Sequence, residues 1–165
     1  MVKGKFNIST LVSDDGCFDL QFRKETRKER VNSPTYYRWK VQFVITVPKE
    51  KARVLNKIKN FWNCGQICLC GNQARYSVQK IDDLAHIVIP FFRKNPLMGK
   101  KKKDFELWVK AVEIIKKNKS KPLINWKKND IYSLIEIHKS CAKYKKRPRK
   151  SKWLEAAKNY LMGRT

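Results

Sequence analysis

Two stretches of alternation constrain this chain more than anything else in it. Phe18, Leu20 and Phe22 are interleaved with Asp19, Gln21, Arg23 and Glu25. Tyr37, Trp39, Val41, Phe43 and Ile45 then stand against Arg38, Lys40, Gln42 and Thr46. A period of two puts apolar side chains on one face of a strand and polar ones on the other. Residues 26–35 are polar, contain Asn32-Ser33-Pro34 and read as the turn or loop between the runs. A long twisted hairpin with one basic, amide-rich face follows, and other elements must cover its apolar face.

Elsewhere the period is helical. Residues 5–14 carry Phe6, Ile8, Leu11 and Val12 at loosely helical spacing. Pro48 suits the first turn of a helix, and residues 49–62 carry Val54, Leu55, Ile58, Phe61 and Trp62 at three- and four-residue intervals, closed by Cys64-Gly65. A second hairpin is predicted with strands near 66–71 and 74–80 around Gly71-Asn72. Asp82 or Asp83 N-caps a helix that runs to about residue 89 and stops at Pro90. Pro96 and Gly99 mark a loop into "GKKKKDFELWVKAVEIIKK", whose second half is amphipathic through Phe105, Trp108, Val109, Val112 and Ile115. Two more helices are predicted near 129–143 and 151–162, with Trp126 and Trp153 as packing residues. The order α-β-β-α-β-β-α plus C-terminal helices predicts an α+β fold with a four-stranded antiparallel sheet. The core spans 1–120, and 121–165 form a basic helical extension of the same domain.

At 165 residues and 42% hydrophobic content the chain can bury a core. Its charge is the outlier: 39 Lys and Arg against 14 acids, net +25. That excess calls for a polyanion, and nucleic acid is the first choice. An anionic membrane is the competing partner, but no apolar stretch approaches the roughly 20 residues needed to span one. Nothing at the N-terminus resembles a secretory signal. The cysteines (Cys17, Cys64, Cys68, Cys70 and Cys141) are odd in number and irregular in spacing, as reduced thiols of an intracellular protein would be. Cys64-x3-Cys68-x-Cys70, even with His86 or His138, matches no common zinc pattern.

The stretch "LVSDDGCF" places Asp14 and Asp15 where a helix turns into the first strand. In one reading the acids are solvated or bond the turn, with Gly16 supplying a positive φ. In the other, a carboxylate and a free main-chain carbonyl at a helix end hold Mg²⁺, and phosphate and water complete its shell. An acid inside a phosphate-binding footprint favours a cation there.

"ISTLVSDDGCF" resembles the signature of the LAGLIDADG homing endonucleases, with Asp15-Gly16 on the closing Asp-Gly. Ser9 and Thr10 replace the usual small pair, and Ser13 the first Asp. The similarity continues through "FVITVPKEKARVLNKIKNF", Gly65-x-Ile67, "RYSV", "IDDLAHIVIPFF" and "NPLMGKKKKDFELWVKAVEII", covering roughly residues 6–117. The resemblance implies a saddle-shaped sheet in the DNA major groove and motif helices that pair across a dimer. Asp15 binds the metal by its carboxylate and Asp14 by its backbone carbonyl. Ser9, Thr10, Val12 and Ser13 form the dimer interface. Lys101, in the loop before the last core helix, assists at the scissile phosphate, so Asp15 and Lys101 are the implied catalytic residues. Gln21, Arg23, Arg38, Lys40, Gln42, Arg75, Ser77 and Gln79 read bases, with Lys100 and Lys102 on phosphates. Val47 stands where the family often has a polar, water-ordering side chain; Lys51 follows nearby.

The implied function is a Mg²⁺-dependent, site-specific endonuclease, a homodimer on a near-palindromic duplex. The alternative is an RNA-binding maturase that helps a group I intron fold. A structural basic protein, such as a ribosomal one, would leave Asp14-Asp15-Gly16 without a role. The family comes from organelle introns and from microbes, and an organelle-encoded protein would need no targeting segment.

Overall fold

Asn7 starts the first helix by capping it: its Oδ1 accepts from the backbone N–H of Ser9 at 2.9 Å and of Thr10 at 3.3 Å. The helix α1 (Ile8–Asp15) buries Ile8 and Val12 and passes without a linker into the strand β1 (Gly16–Thr26). The computed structural model describes residues 7–26, 32, 35–145 and 154–163, apart from the side chains of Thr35 and Tyr160. Phe6, most of the 26–35 turn and the basic segment 146–153 with Trp153 lie outside the described residues.

β1 pairs antiparallel with β2 (Thr35–Pro48), from Gly16 opposite Ile45 to Thr26 opposite Thr35. A 3-10 turn, Lys49–Lys51, leads into α2 (Ala52–Trp62). The strands β3 (Gln66–Cys70) and β4 (Gln73–Val78) form the second hairpin around Gly71-Asn72. The sheet order is β1-β2-β4-β3, so β1 and β3 are its edges.

The alternation has the predicted phase. Phe18, Leu20, Phe22, Trp39, Val41, Phe43 and Ile45 are all buried. Leu55, Ile58 and Trp62 of α2 join the core under this face, as do Phe105, Trp108 and Val112 of α5 (Gly99–Lys117). Phe18 lies at the centre, its ring 5.1 to 5.7 Å from those of Phe43, Phe92, Phe105 and Trp108. Further on, α6 (Lys128–Ala142) packs on α5, and α7 (Leu154–Met162) on α6. Buried Asp130 ties α6 to the end of α5, accepting from Lys117 Nζ at 2.9 Å and Asn118 Nδ2 at 3.0 Å. Trp126 is buried and donates to the Lys121 carbonyl, as a packing residue should.

Four local expectations are corrected. Pro90 does not stop its helix: α3 (Ile81–Asp83) continues through a π-helical stretch, Leu84–Val88, into α4 (Ile89–Lys94), which contains Pro90. Proline lacks an N–H and crowds the carbonyl four residues back, and the wider π turn accommodates both. Asp82 makes no cap; its carboxylate takes a 2.6 Å bond from Lys119. Lys100, Lys101 and Lys102 are not in a loop but in the first turn of α5, which begins at Gly99 with φ +58°. α2 ends on left-handed Asn63 (φ +51°) rather than on Cys64-Gly65.

Gly16 adds a fifth. Its φ of −86° and ψ of 150° are open to any residue, so the expected positive φ is absent. Space is what demands glycine: a Cβ would lie 2.6 Å from Val12 Cγ1 and 2.7 Å from the Val12 carbonyl oxygen. Backbone cannot yield as a side chain can, so Gly16→Ala should cost about 3 kcal/mol, at the upper end of overpacking effects. Gly71→Ala, with nothing within 4 Å but φ +57°, should cost about 1 kcal/mol. Urea denaturation of the two variants checks both the order and the gap.

Candidate nucleic-acid interface and acidic corner

Asp14 and Asp15 are exposed at the C-terminal end of α1. Carboxylates there face the negative end of the helix dipole, and the last turn holds no basic residue. The Gly16 N–H closes on the Val12 carbonyl, so the carbonyls of Ser13, Asp14 and Asp15 lie beyond the last intrahelical bond. This corner therefore concentrates hard oxygen donors and favours a cation. Among the described residues no group of three or more His, Cys, Asp or Glu could hold a metal. Two neighbouring acids can do so only with oxygens from a phosphate, water or another chain, a shell that suits Mg²⁺.

The structure brings Lys101 to this corner. From the first turn of α5 its Nζ donates to the Gly16 carbonyl at 2.6 Å, across 85 residues of sequence. Lys101 is half-buried, whereas Lys100 and Lys102 are exposed on either side. Two residues further along β1, Lys145 Nζ donates to the Phe18 carbonyl at 2.5 Å and lies 3.3 Å from Asp104 Oδ2. Two ammonium groups thus bond main-chain carbonyls at the start of the edge strand β1.

Sequence reasoning missed Lys145 and Asp104. Asp104 is 2% exposed, and burial pushes its carboxyl above the ordinary carboxylate range, with Lys145 acting against the shift. The Cys141 thiol is pushed up to about 12 by burial and by Asp104. Burial also raises Cys17, so neither thiol is a ready thiolate beside the acids. No sequence signal marks this cluster beyond the apolar setting of Asp104.

The outer face of the sheet can be read in rows. Asp19 stands opposite Gln42, Gln21 opposite Lys40, and Arg23 opposite Arg38 on β1 and β2. Val44 faces Ser77, and Thr46 faces Arg75, across β2 and β4. Arg23, Arg38, Lys40, Arg75 and Ser77 therefore share one surface, as predicted, and exposed Gln79 lies just past the end of β4. Burial and then the neighbouring Arg23 and Arg38 pull the Lys40 ammonium below its ordinary value, a sign of crowded positive charge. Arg38 pairs with Glu25 at 2.7 Å, and Glu25 also accepts from the Tyr36 hydroxyl at 3.0 Å.

Gln42 departs from expectation. It is 4% exposed, and its Nε2 donates to Asp19 Oδ2 at 2.7 Å, so it is part of the floor of this face rather than a reaching side chain. Thr46 lies on this face as its alternation implies, and Gln73 and the β3 residues Gln66, Cys68 and Cys70 belong to it by register and were missed. Period two, extended to the short strand β3, would have found them. Val47 points into the core at 2% exposed and offers water no polar group.

On α1, Val12 is fully buried in the chain's own core, which removes it from the expected dimer interface. Thr10 is exposed, and Ser9 and Ser13 are half-buried. Ser9 Oγ donates to the Asn95 carbonyl at 3.1 Å, and Ser13 Oγ to the Ser9 carbonyl at 2.9 Å. No helix among the described residues is long and apolar enough to cross a membrane.

Residues 8–112 match the family model described as LAGLIDADG endonuclease. Probable intron-encoded endonuclease 3 of Neurospora crassa is 32% identical over 105 residues, covering 62% of this chain and 19% of that protein. The chain thus spans about a fifth of that relative's length. The fold is similar to the homing endonuclease I-TnaI, with TM-score 0.69 and 19% identity over 93% of this chain and 95% of that one. It is also similar to the LAGLIDADG meganuclease I-AabMI bound to uncleaved DNA, with TM-score 0.66 and 26% identity over 91% of this chain and 47% of that one.

Replacing Lys145 by Met should leave the Asp104 carboxylate buried without its ammonium, at a cost of about 3–5 kcal/mol. Replacing both, as Asp104→Leu with Lys145→Leu, should recover most of that loss in guanidinium denaturation, because no charge is then stranded.

Proposed function

Because this chain belongs to the LAGLIDADG endonuclease family, we propose that it is a site-specific endonuclease that hydrolyses both strands of a near-palindromic DNA duplex, using Mg²⁺ and acting as a homodimer. The observation that carries this reading is the Lys101 ammonium on the Gly16 carbonyl, next to Asp15, at the edge of a sheet with a basic outer face. Asp15 holds the cation through its carboxylate and Asp14 through its main-chain carbonyl. The cation, once bound, supplies Lewis-acid activation of the scissile phosphate and of the attacking water. Lys101 offers a fixed positive charge where the phosphate gains charge as its P–O bond breaks. Lys100 and Lys102, exposed beside it, anchor flanking phosphates. Arg23, Lys40, Arg75, Ser77 and Gln21 face the bases, with Arg suited to guanine O6 and N7.

Two copies are invoked for three reasons. The acidic corner appears once in the chain, it has too few ligands of its own, and I-AabMI is about twice as long as this chain. Thr10, with Ser9 and Ser13, gives α1 a small polar face for a second α1. The relative's name, intron-encoded endonuclease, supports an intron-borne gene, and an organelle is the proposed setting. A second reading, an RNA-binding maturase without cleavage, is favoured by buried Val47, which supplies no water-ordering group.

Incubated with a randomised duplex library and Mg²⁺, the protein should yield cut ends of one sequence class. Asp15→Asn and excess EDTA should abolish them. Lys101→Ala should slow cutting about 10²–10³-fold while leaving duplex capture in Ca²⁺ intact. Capture of duplexes by the wild type without any cutting in Mg²⁺ removes the nuclease reading and moves the maturase ahead.

A further inference from the structure

Asp19 is an acid on a face otherwise crowded with Arg23, Arg38, Lys40 and Arg75, and its surroundings point to a use. A single carboxylate oxygen, Oδ2, accepts from Gln21 Nε2 at 2.5 Å and from Gln42 Nε2 at 2.7 Å. Its main-chain carbonyl accepts from Trp108 Nε1 at 3.2 Å, which ties the residue to the core helix α5. Carboxylate oxygens accept and do not donate, so both amides must turn their NH₂ groups inward. Buried Gln42 flanks Asp19 on one side; Gln21, half-buried, is the partner on the outer face.

We propose that Asp19 is a specificity-determining positioning residue, which fixes the orientation in which the Gln21 amide meets a base edge. The proposal rests on the DNA-reading role of this face. A free glutamine amide can flip and serve either a donor or an acceptor on the base. With one Nε2–H committed to Asp19, the Gln21 amide keeps one orientation and presents Oε1 with its second N–H, the acceptor–donor pair that matches adenine N6 and N7. The bond to a charged oxygen holds that orientation more firmly than a neutral one would, and the Gln42 bond steadies the carboxylate itself. Asp19 also removes a positive increment from the face, which limits sequence-independent capture of phosphate.

The test is a binding selection from a randomised duplex library in Ca²⁺, run on the wild type, Gln21→Ala, Asp19→Asn and Asp19→Ala, each checked for an unchanged melting curve. Gln21→Ala identifies the positions that Gln21 reads. At those positions the wild type should favour adenine, and Asp19→Ala should reduce that preference at least about fivefold, the scale of one lost base contact, with Asp19→Asn, whose Oδ1 can still accept, in between. The variants should also hold unrelated duplex more tightly than the wild type does. Asp19→Asn keeps the shape, so a flattened profile in a folded Asn variant is not a packing defect. If the Asp19 variants keep the wild-type profile, whatever their affinity, or if Gln21→Ala alters no position, the assignment is overturned. Selection of no sequence by the wild type overturns the DNA-reading role itself and this proposal with it.

Discussion

The packing of the Phe18 ring organises this molecule. It meets the rings of Phe43 on the neighbouring strand, Phe92 on α4, and Phe105 and Trp108 on α5, all within 5.7 Å. β1 is an edge strand and could otherwise slide or fray. Instead its register is fixed from beneath by aromatic contact, and the same contact brings the start of α5 to the corner. The Lys101 bond to Gly16 and the Lys145 bond to Phe18 both follow from that placement. Gly16 completes it from the other side, since only a residue without a Cβ lets α1 turn into β1 against Val12.

A net charge of +25 would by itself predict a uniformly basic surface. The few acids are instead deployed where they do distinct things. Asp14 and Asp15 stand exposed at a helix C-terminus, a placement that favours a cation. Asp19 orders two amides within the sheet face. Glu25 pairs with Arg38, Asp130 ties α6 to the end of α5, and Asp104 holds Lys145, just past α6, to α5. The Cys17 and Cys141 thiols, both raised by burial, stay protonated, so they offer a metal no thiolate.

The C-terminal third is part of this arrangement. Lys145, three residues past the end of α6, reaches back 127 positions to the Phe18 carbonyl. Lys145 therefore ties the segment after α6 to the start of β1.

The sequence by itself determined the class and order of the elements, the faces of β1 and β2, and the acidic helix-to-strand corner. Each of these is a local pattern: period two, period 3.6, or a breaker at a junction. The acidic corner and the stretches after it also made the family legible. Only the tertiary structure decided which of four consecutive lysines reaches the Gly16 carbonyl, because that choice depends on how α5 is rotated about its axis. It also decided that Val12 turns inward, that Gln42 lies in the floor of the sheet face, and that Pro90 sits within a continuous helical segment after a π turn. Periodicity tells which face a residue occupies but not what covers that face. Contacts spanning 85 and 127 residues are set by the packing of the whole core, which no local window contains.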